Sequence, residues 1–297
     1  MKTIWRAGLL TMLLAACLLA DVTFDQTTRF TGGTMLDVLR KMADNPAIAR
    51  SGGANLKAAF RDQKFAVYIK RTKMARIGEL SSSIFDLETG TVTTINHQTR
   101  TYSKMTFAEM REQLDRLRER ANKTEQGNPE FDVKVEKTGQ KQTIDGESAS
   151  EVLMTLTAKS AGPNGQMVVK ANAWLVPLQP ATQEVRDFGN RMSEKFMDAF
   201  AGSPMLGAAS GGIAAAMKES SKLDGYPLLT DIQVSGAASP LLSAMGSANI
   251  DPTAPLLKME VQSANFVSGP VDDSKFAVPA GYTEKPAHLA RPQATSN

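Results

Sequence analysis

Ile84–Met110, "IFDLETGTVTTINHQTRTYSKMTFAEM", decides the fold class. It holds a strand, a turn, two more strands and the start of a helix. Thr89-Gly90 and Asn96-His97 are turn signals between short β-rich runs. Strands joined by such short turns pair antiparallel. Thr106 with Glu109 three residues on forms a capping box, which starts a helix over Thr106–Ala121. Phe107, Met110, Leu114, Leu117 and Ala121 fall at helical spacing along it. The helix therefore has an apolar stripe to bury, and the inner face of the sheet is its natural partner.

The same alternation recurs along the chain. Phe131, Val133 and Val135 alternate with Asp132, Lys134 and Glu136. Val152, Met154, Leu156 and Ala158 form a second period-two row. Val169, Ala171, Ala173 and Leu175 form a third, and Leu257, Met259 and Val261 a fourth. Rows of this kind mark strands with one buried face and one wet face. Phe65, Val67 and Ile69 open a further strand that runs towards Ile77. Further turns are predicted at Thr138-Gly139, Asp145-Gly146 and Asn164-Gly165.

Helices are also predicted over Thr34–Met42, with Met35, Leu39 and Met42 on one side, and over Thr182–Phe200, with Val185, Phe188, Met192 and Phe196. A weaker one follows over Ile213–Leu223. The pattern predicts one α+β domain from about residue 21 to 283, a curved antiparallel sheet wrapped on amphipathic helices. It carries a helical insertion at about 182–223 and a flexible Ala/Ser/Gly/Pro-rich loop at about 235–255. Residues 284–297 form a polar tail predicted to be disordered. No internal repeat and no interdomain linker stand out.

Residues 1–20 have the make-up of an export signal. Lys2 and Arg6 precede an uncharged run from Ala7 to Ala20, too short to span a ~30 Å hydrocarbon core. Two cuts compete. Leu14-Ala15-Ala16-Cys17 is similar to the lipobox of bacterial lipoproteins, in which the cysteine is acylated and becomes the first residue. An ordinary cut after Ala20 would place Leu18 where a small residue is preferred. The lipobox is the preferred reading, so Cys17 is the expected lipidation site. The expected location is then the periplasm, as an outer-membrane lipoprotein; the ordinary cut makes a soluble periplasmic protein. Cys17 is the sole cysteine, so no disulfide is expected.

Composition narrows function by exclusion. Thirty-four basic and 31 acidic residues nearly balance, at a net charge of +3, and suggest no nucleic-acid partner. Of the two histidines, His97 lies in a turn and His288 in the tail; neither belongs to a ligand cluster or has a nucleophile motif nearby. No metal site, catalytic residue or cofactor is expected, and the protein is read as a non-enzyme. Asp272-Asp273 reads as a solvated turn, and Gly32-Gly33 and Gly211-Gly212 as turn or helix-break residues.

Lys70, Arg71, Lys73 and Arg76 make a basic cluster. On one continuous strand, alternation puts Lys70 and Arg76 on one face and Arg71 and Lys73 on the other. The preferred reading is a solvated edge that blocks further pairing; the other is contact with anionic head groups. Met35, Met42, Met110, Met192, Met197 and Met217 all fall on predicted helices. They are core filler, or the soft lining of a pocket for an acyl chain.

Three stretches carry a family resemblance: the opening "ADVTFDQTTRFTGG", the Ile84–Met110 stretch, and "DDSKFAVPAGYTEK", read as the closing strand. Together the chain resembles an uncharacterised exported bacterial family related to the lipoprotein-localisation carriers and receptors of the LolA/LolB type. The resemblance implies an open, strongly curved antiparallel half-barrel with helices on its concave face, where such carriers hold acyl chains. No ligand-binding residue transfers from it. The resulting expectation is a non-catalytic envelope protein that binds a lipid or other apolar ligand and is held at the membrane by its lipid anchor. The alternative is a structural or protein-interaction module with a filled core. Neither reading names a protein partner.

Overall fold

The computed structural model of the protein describes residues 21–44, 61–121, 130–159, 166–200, 219, 222–236 and 254–287. Strand β1 (Val22–Gly32) leads into helix α1 (Thr34–Asp44). A meander follows: β2 (Gln63–Lys70), β3 (Lys73–Gly78), β4 (Ser81–Asp86), β5 (Thr91–Asn96) and β6 (Thr101–Thr106), running directly into α2 (Phe107–Ala121). Then come β7 (Glu130–Ile144), β8 (Glu147–Lys159), β9 (Gln166–Val176), α3 (Pro180–Phe200), β10 (Tyr226–Gly236), β11 (Leu257–Ser268) and the short β12 (Thr283–Glu284). Among the described residues the class is α+β: three helices, and one unclosed sheet in the order β12-β6-β5-β4-β3-β2-β1-β11-β10-β9-β8-β7. Every pairing is antiparallel except β12 with β6.

The predicted apolar rows line up across the strands. Val135 stands opposite Met154, Met154 opposite Ala171, Ala171 opposite Ile232, and Ile232 opposite Met259. A period of two places each row on one face, so register and burial specify each other. The capping box also forms: the Thr106 backbone N–H and hydroxyl donate to Glu109, whose own N–H donates to the Thr106 hydroxyl. Those donors hold the Glu109 carboxyl below its ordinary range.

Helix α3 supplies the main plug. Val22, Phe24, Val67, Ile69, Leu87 and Phe188 form a buried cluster, joined by Phe107 from α2 and by Ala181, Val185 and Met192 from α3. Phe188 is only 1% exposed. The opposite face of β3–β5 holds a second cluster, Ala75, Ile84 and Ile95, covered by Phe276, Val278 and Tyr282.

Five expectations need correction. Phe65 to Ile77 is not one strand: it folds at Arg71-Thr72 into the β2–β3 hairpin, with Lys70 opposite Lys73 and Arg71 at a φ of 54°. Thr138-Gly139 does not end a strand. Gly139, at a φ of 79°, absorbs extra residues between Lys137 and Lys141, and β7 continues through the irregularity. The stripe of α1 centres on Leu36 and Ala43 rather than Met35. The closing segment is no full strand: a 3-10 turn at Asp273–Phe276 leads into a strap that crosses the sheet, and only Thr283–Glu284 pairs, with β6. The chain is also held past Glu284, since the Lys285 N–H donates to the Tyr102 carbonyl at 2.7 Å. The Asn164-Gly165 turn, nearly all of the Ile213–Leu223 helix and residues 237–253 of the predicted loop lie outside the described residues.

A short repeat also emerges that the sequence reading did not expect. The Asp86 carboxylate accepts the Thr89 N–H at 3.1 Å, and ten residues on the Asn96 side-chain Oδ1 accepts the Thr99 N–H at 3.0 Å. The Thr89 and Thr91 hydroxyls pair at 2.9 Å, as those of Thr99 and Thr101 do at 2.7 Å. Gly90 and Arg100 close the two loops at φ 61° and 51°. Each loop is an Asx turn that feeds the next strand of the meander.

Truncation of the plug should be costly. Phe188→Ala is expected to lower stability by about 3–5 kcal/mol, the usual cost of emptying a core aromatic site. Urea unfolding of the variant against the natural chain reads this directly, and a loss below about 1 kcal/mol would mean that α3 is not the plug.

Candidate functional site

The described surface has a cleft at the foot of α3, about 340 Å³ in volume. It opens where the β7–β8 turn, the end of β9, the start of β10 and the end of β11 meet. The Asp145-Gly146 turn is formed as predicted, with both residues at positive φ. Val176, Leu228 and Phe266 line the sheet side and Pro180 and Ala181 the helix side, with Asp145, Glu147, Gln179 and Asn265 among the polar lining. The Gln179 amide donates to Glu147 at 3.2 Å, and its N–H donates to the Thr182 hydroxyl at 2.9 Å, which fixes the helix entry. Phe266 stacks on Phe24 at 4.9 Å and meets Tyr226 edge-on at 5.3 Å. The cleft wall is therefore continuous with the buried cluster under α3.

The basic cluster is divided by the β2–β3 hairpin. Because Arg71-Thr72 turns the chain, Lys70 and Lys73 end opposite each other, and Arg76 lies on the other face, opposite Val67. Lys70 pairs with Asp273 at 2.9 Å and Lys73 with Asp86 at 3.6 Å. Arg76 turns towards the helices: its Nη2 donates to Gln26 Oε1 at 2.8 Å, and its guanidinium lies 4.3 Å from the centroid of the Phe65 ring. The single-strand reading had put Arg76 and Lys70 together, and one misplaced turn is enough to exchange faces.

His97 ties the strap to the sheet. Its Nε2 is 2.7 Å from the Ser82 hydroxyl and its Nδ1 is 2.8 Å from the Tyr282 hydroxyl. A serine, a histidine and a third oxygen in line have the connectivity of a nucleophilic triad. Ser82, however, is 5% exposed and sits in the row that the strap covers. No substrate carbonyl reaches a hydroxyl so placed, so the chain of bonds is a clasp. Lys275 over the Tyr68 ring at 5.1 Å, and Lys70 donating to the Val271 carbonyl at 2.8 Å, fasten the strap at two further points.

Other expected positions find places. Asp272 caps the 3-10 turn by accepting the Ser274 N–H at 2.7 Å, and Asp273 pairs with Lys70. Gly33 permits a close approach: a Cβ there would lie 2.4 Å from the Leu256 carbonyl oxygen, at a φ of 116°. Met192 packs on the core cluster, and Met35, Met42 and Met110 are half-buried. The side chains of Met197 and Met217, the Gly211-Gly212 pair, His288 and Cys17 all lie outside the described residues. Among the described residues no group of three or more His, Cys, Asp or Glu could hold a metal, and no helix is long and apolar enough to cross a membrane.

With this geometry in view, comparison with protein-family models finds no matching family, and comparison with curated proteins finds no match. Sequence reasoning missed the cleft because it is formed by residues from five separate elements. It named Arg76 but placed it on the wrong face, because the hairpin turn bears neither glycine nor proline.

The clasp can be tested. Tyr282→Phe removes the partner of His97 Nδ1, at a cost of about 1–3 kcal/mol for a part-buried polar group left unpaired. Amide hydrogen exchange should quicken in residues 271–287 and stay unchanged in β1 and β11. Unchanged exchange in the strap would show that the clasp does not hold it.

Proposed function

We propose that the protein is a non-catalytic cell-envelope protein that binds a lipid or another apolar ligand between its sheet and its helices, with the unclosed sheet forming a curved half-barrel of the LolA/LolB type. The observation that carries this reading is the cleft at the foot of α3, walled by the sheet through Val176, Leu228 and Phe266 and by the helix through Ala181. Its volume falls at the lower end of the ~300–1,000 Å³ common for ligand sites. That suits one acyl chain better than a two-chain lipid. The second reading, a filled core with no ligand, is favoured by the tight closure of the Phe188 cluster.

The same proposal takes Cys17 as acylated. Asp21 is fixed at the sheet end: its carbonyl accepts the Gly269 N–H and its carboxylate the Val271 N–H, both at 2.9 Å. Leu18 to Ala20 would then be the only free tether, roughly 10 Å at ~3.3 Å per extended residue. Ser268 and Asn265 line the cleft and belong to the same end of the sheet as Val22. An anchor at Cys17 would hold the cleft end near the head groups.

Solvent extraction of the purified protein followed by mass spectrometry should find co-purified lipid, and a fluorescent fatty-acid probe should bind saturably. Ala181→Trp, which fills the cleft, should weaken the probe about tenfold, ~1.4 kcal/mol. No lipid and no probe binding would instead establish the filled core. Acylation is tested separately by metabolic labelling with palmitate: the natural chain should be labelled and fractionate with membranes, and Cys17→Ser should do neither. An unlabelled natural chain beginning at Asp21 would make the protein a soluble periplasmic one.

A further inference from the structure

We propose that Arg76, on the helix-covered face of the sheet, receives the carboxylate of a long-chain fatty acid. This rests on the reading that an apolar ligand lies between sheet and helices, and it names the ligand's head group. Arg29, Lys70 and Lys73, elsewhere on the sheet, each have a carboxylate partner. Among the described residues Arg76 has a neutral partner, the Gln26 amide oxygen. Its buried Nε has no acceptor among them. Burial pushes its pKa down, with no neighbouring acid to push it back.

The guanidinium sits on a built platform. Phe65 lies flat beneath it, and Gly78 makes room for that ring: a Cβ on Gly78 would stand 2.9 Å from Phe65 Cε1. Gln26, Phe65 and Gly78 stand in one row across β1, β2 and β3, with Arg76 two residues before Gly78 on the same face. The arrangement holds the guanidinium against the ring and leaves its Nε without an acceptor among the described residues. A planar two-oxygen anion matches that fork better than a point charge would. A core filler would need no charge at this position, since a half-buried cation with a neutral partner costs stability that an apolar side chain of similar length would not.

The surroundings favour a long apolar tail on that anion. Arg76 pairs with Val67, which pairs with Phe24, which stacks on Phe266 in the cleft wall. Two strand spacings of ~4.8 Å put Phe24 about 10 Å from Arg76, within the reach of an acyl chain.

The test uses the delipidated full chain and two fluorescent probes, an anthroyloxy-labelled stearic acid and its methyl ester. The acid should bind the natural protein about tenfold more tightly than the ester. Arg76→Met should abolish the preference and keep the ester affinity, and Arg76→Lys should retain part of it. Equal binding of acid and ester by the natural protein overturns the role of Arg76 and leaves the apolar-ligand reading standing. So does a preference that survives in Arg76→Met. Failure of both probes to bind overturns the apolar-ligand reading and this inference with it. The comparison of acid with ester on the natural protein decides the matter even if Arg76→Met does not fold.

Discussion

The antiparallel pairing of β1 with β11 holds two meanders together as one sheet. On one side stand β2 to β6, each beside its sequence neighbour; on the other stand β10 to β7 in reverse order. The contacts that join them are far apart in sequence, as with Asn265 donating to Asp25 across 240 positions. Closing so long a loop is costly in entropy but grows only logarithmically with length, so the cost falls mainly on folding rate. The seam is irregular, with register shifts at Thr23/Asp25 and Phe30/Gly32. At the first of these Phe24 stacks on Phe266, so an aromatic contact secures the pairing where the ladder is interrupted.

The two flanks of this seam are covered differently. Over β2 and β3 both faces hold buried apolar residues, one packed with α3 and the other under the strap. Across β8 to β11 the face away from the apolar rows carries paired polar groups, such as Asn172 with Glu151 and Arg29 with Glu260. Asp231 lies on that face, where partial burial and nearby Glu260 push its carboxyl upward. The central helix plug and the C-terminal strap therefore press on the same strands from opposite sides. Arg76 is mounted on β3, within this doubly packed part of the sheet.

Local chemistry explains which features were readable in advance. Thr106 and Glu109 lie three residues apart and bond to each other, so the cap that starts α2 is legible locally. The rows through Met154 and Leu156 obey a period that any half-buried strand must obey. The β2–β3 hairpin turns at Arg71-Thr72, without a turn-forming pair, and its position follows from pairing Ile69 with Met74. Gly139 looked like a turn because a positive φ serves bulges and turns alike. The strap follows no period, since each of its anchors answers to a different partner: Tyr68 for Lys275, His97 for Tyr282 and Tyr102 for Lys285. The cleft and the placement of Arg76 depend on these long-range choices, which is why chemistry was the least legible part of the chain.

The matched loops at Asp86 and Asn96 give the meander a modular arithmetic. One strand and one loop together take ten residues, and residues ten apart face opposite sides, as Ile84 and Thr94 do, so two added units restore the same faces. A duplicated or deleted pair of such units would also preserve strand direction, and the inside–outside pattern would survive without a single compensating substitution. The width of this flank is thus free to change in whole hairpins over evolutionary time. The limit is set by the strap, whose fixed reach from Val271 to Thr283 must still carry it to the last strand.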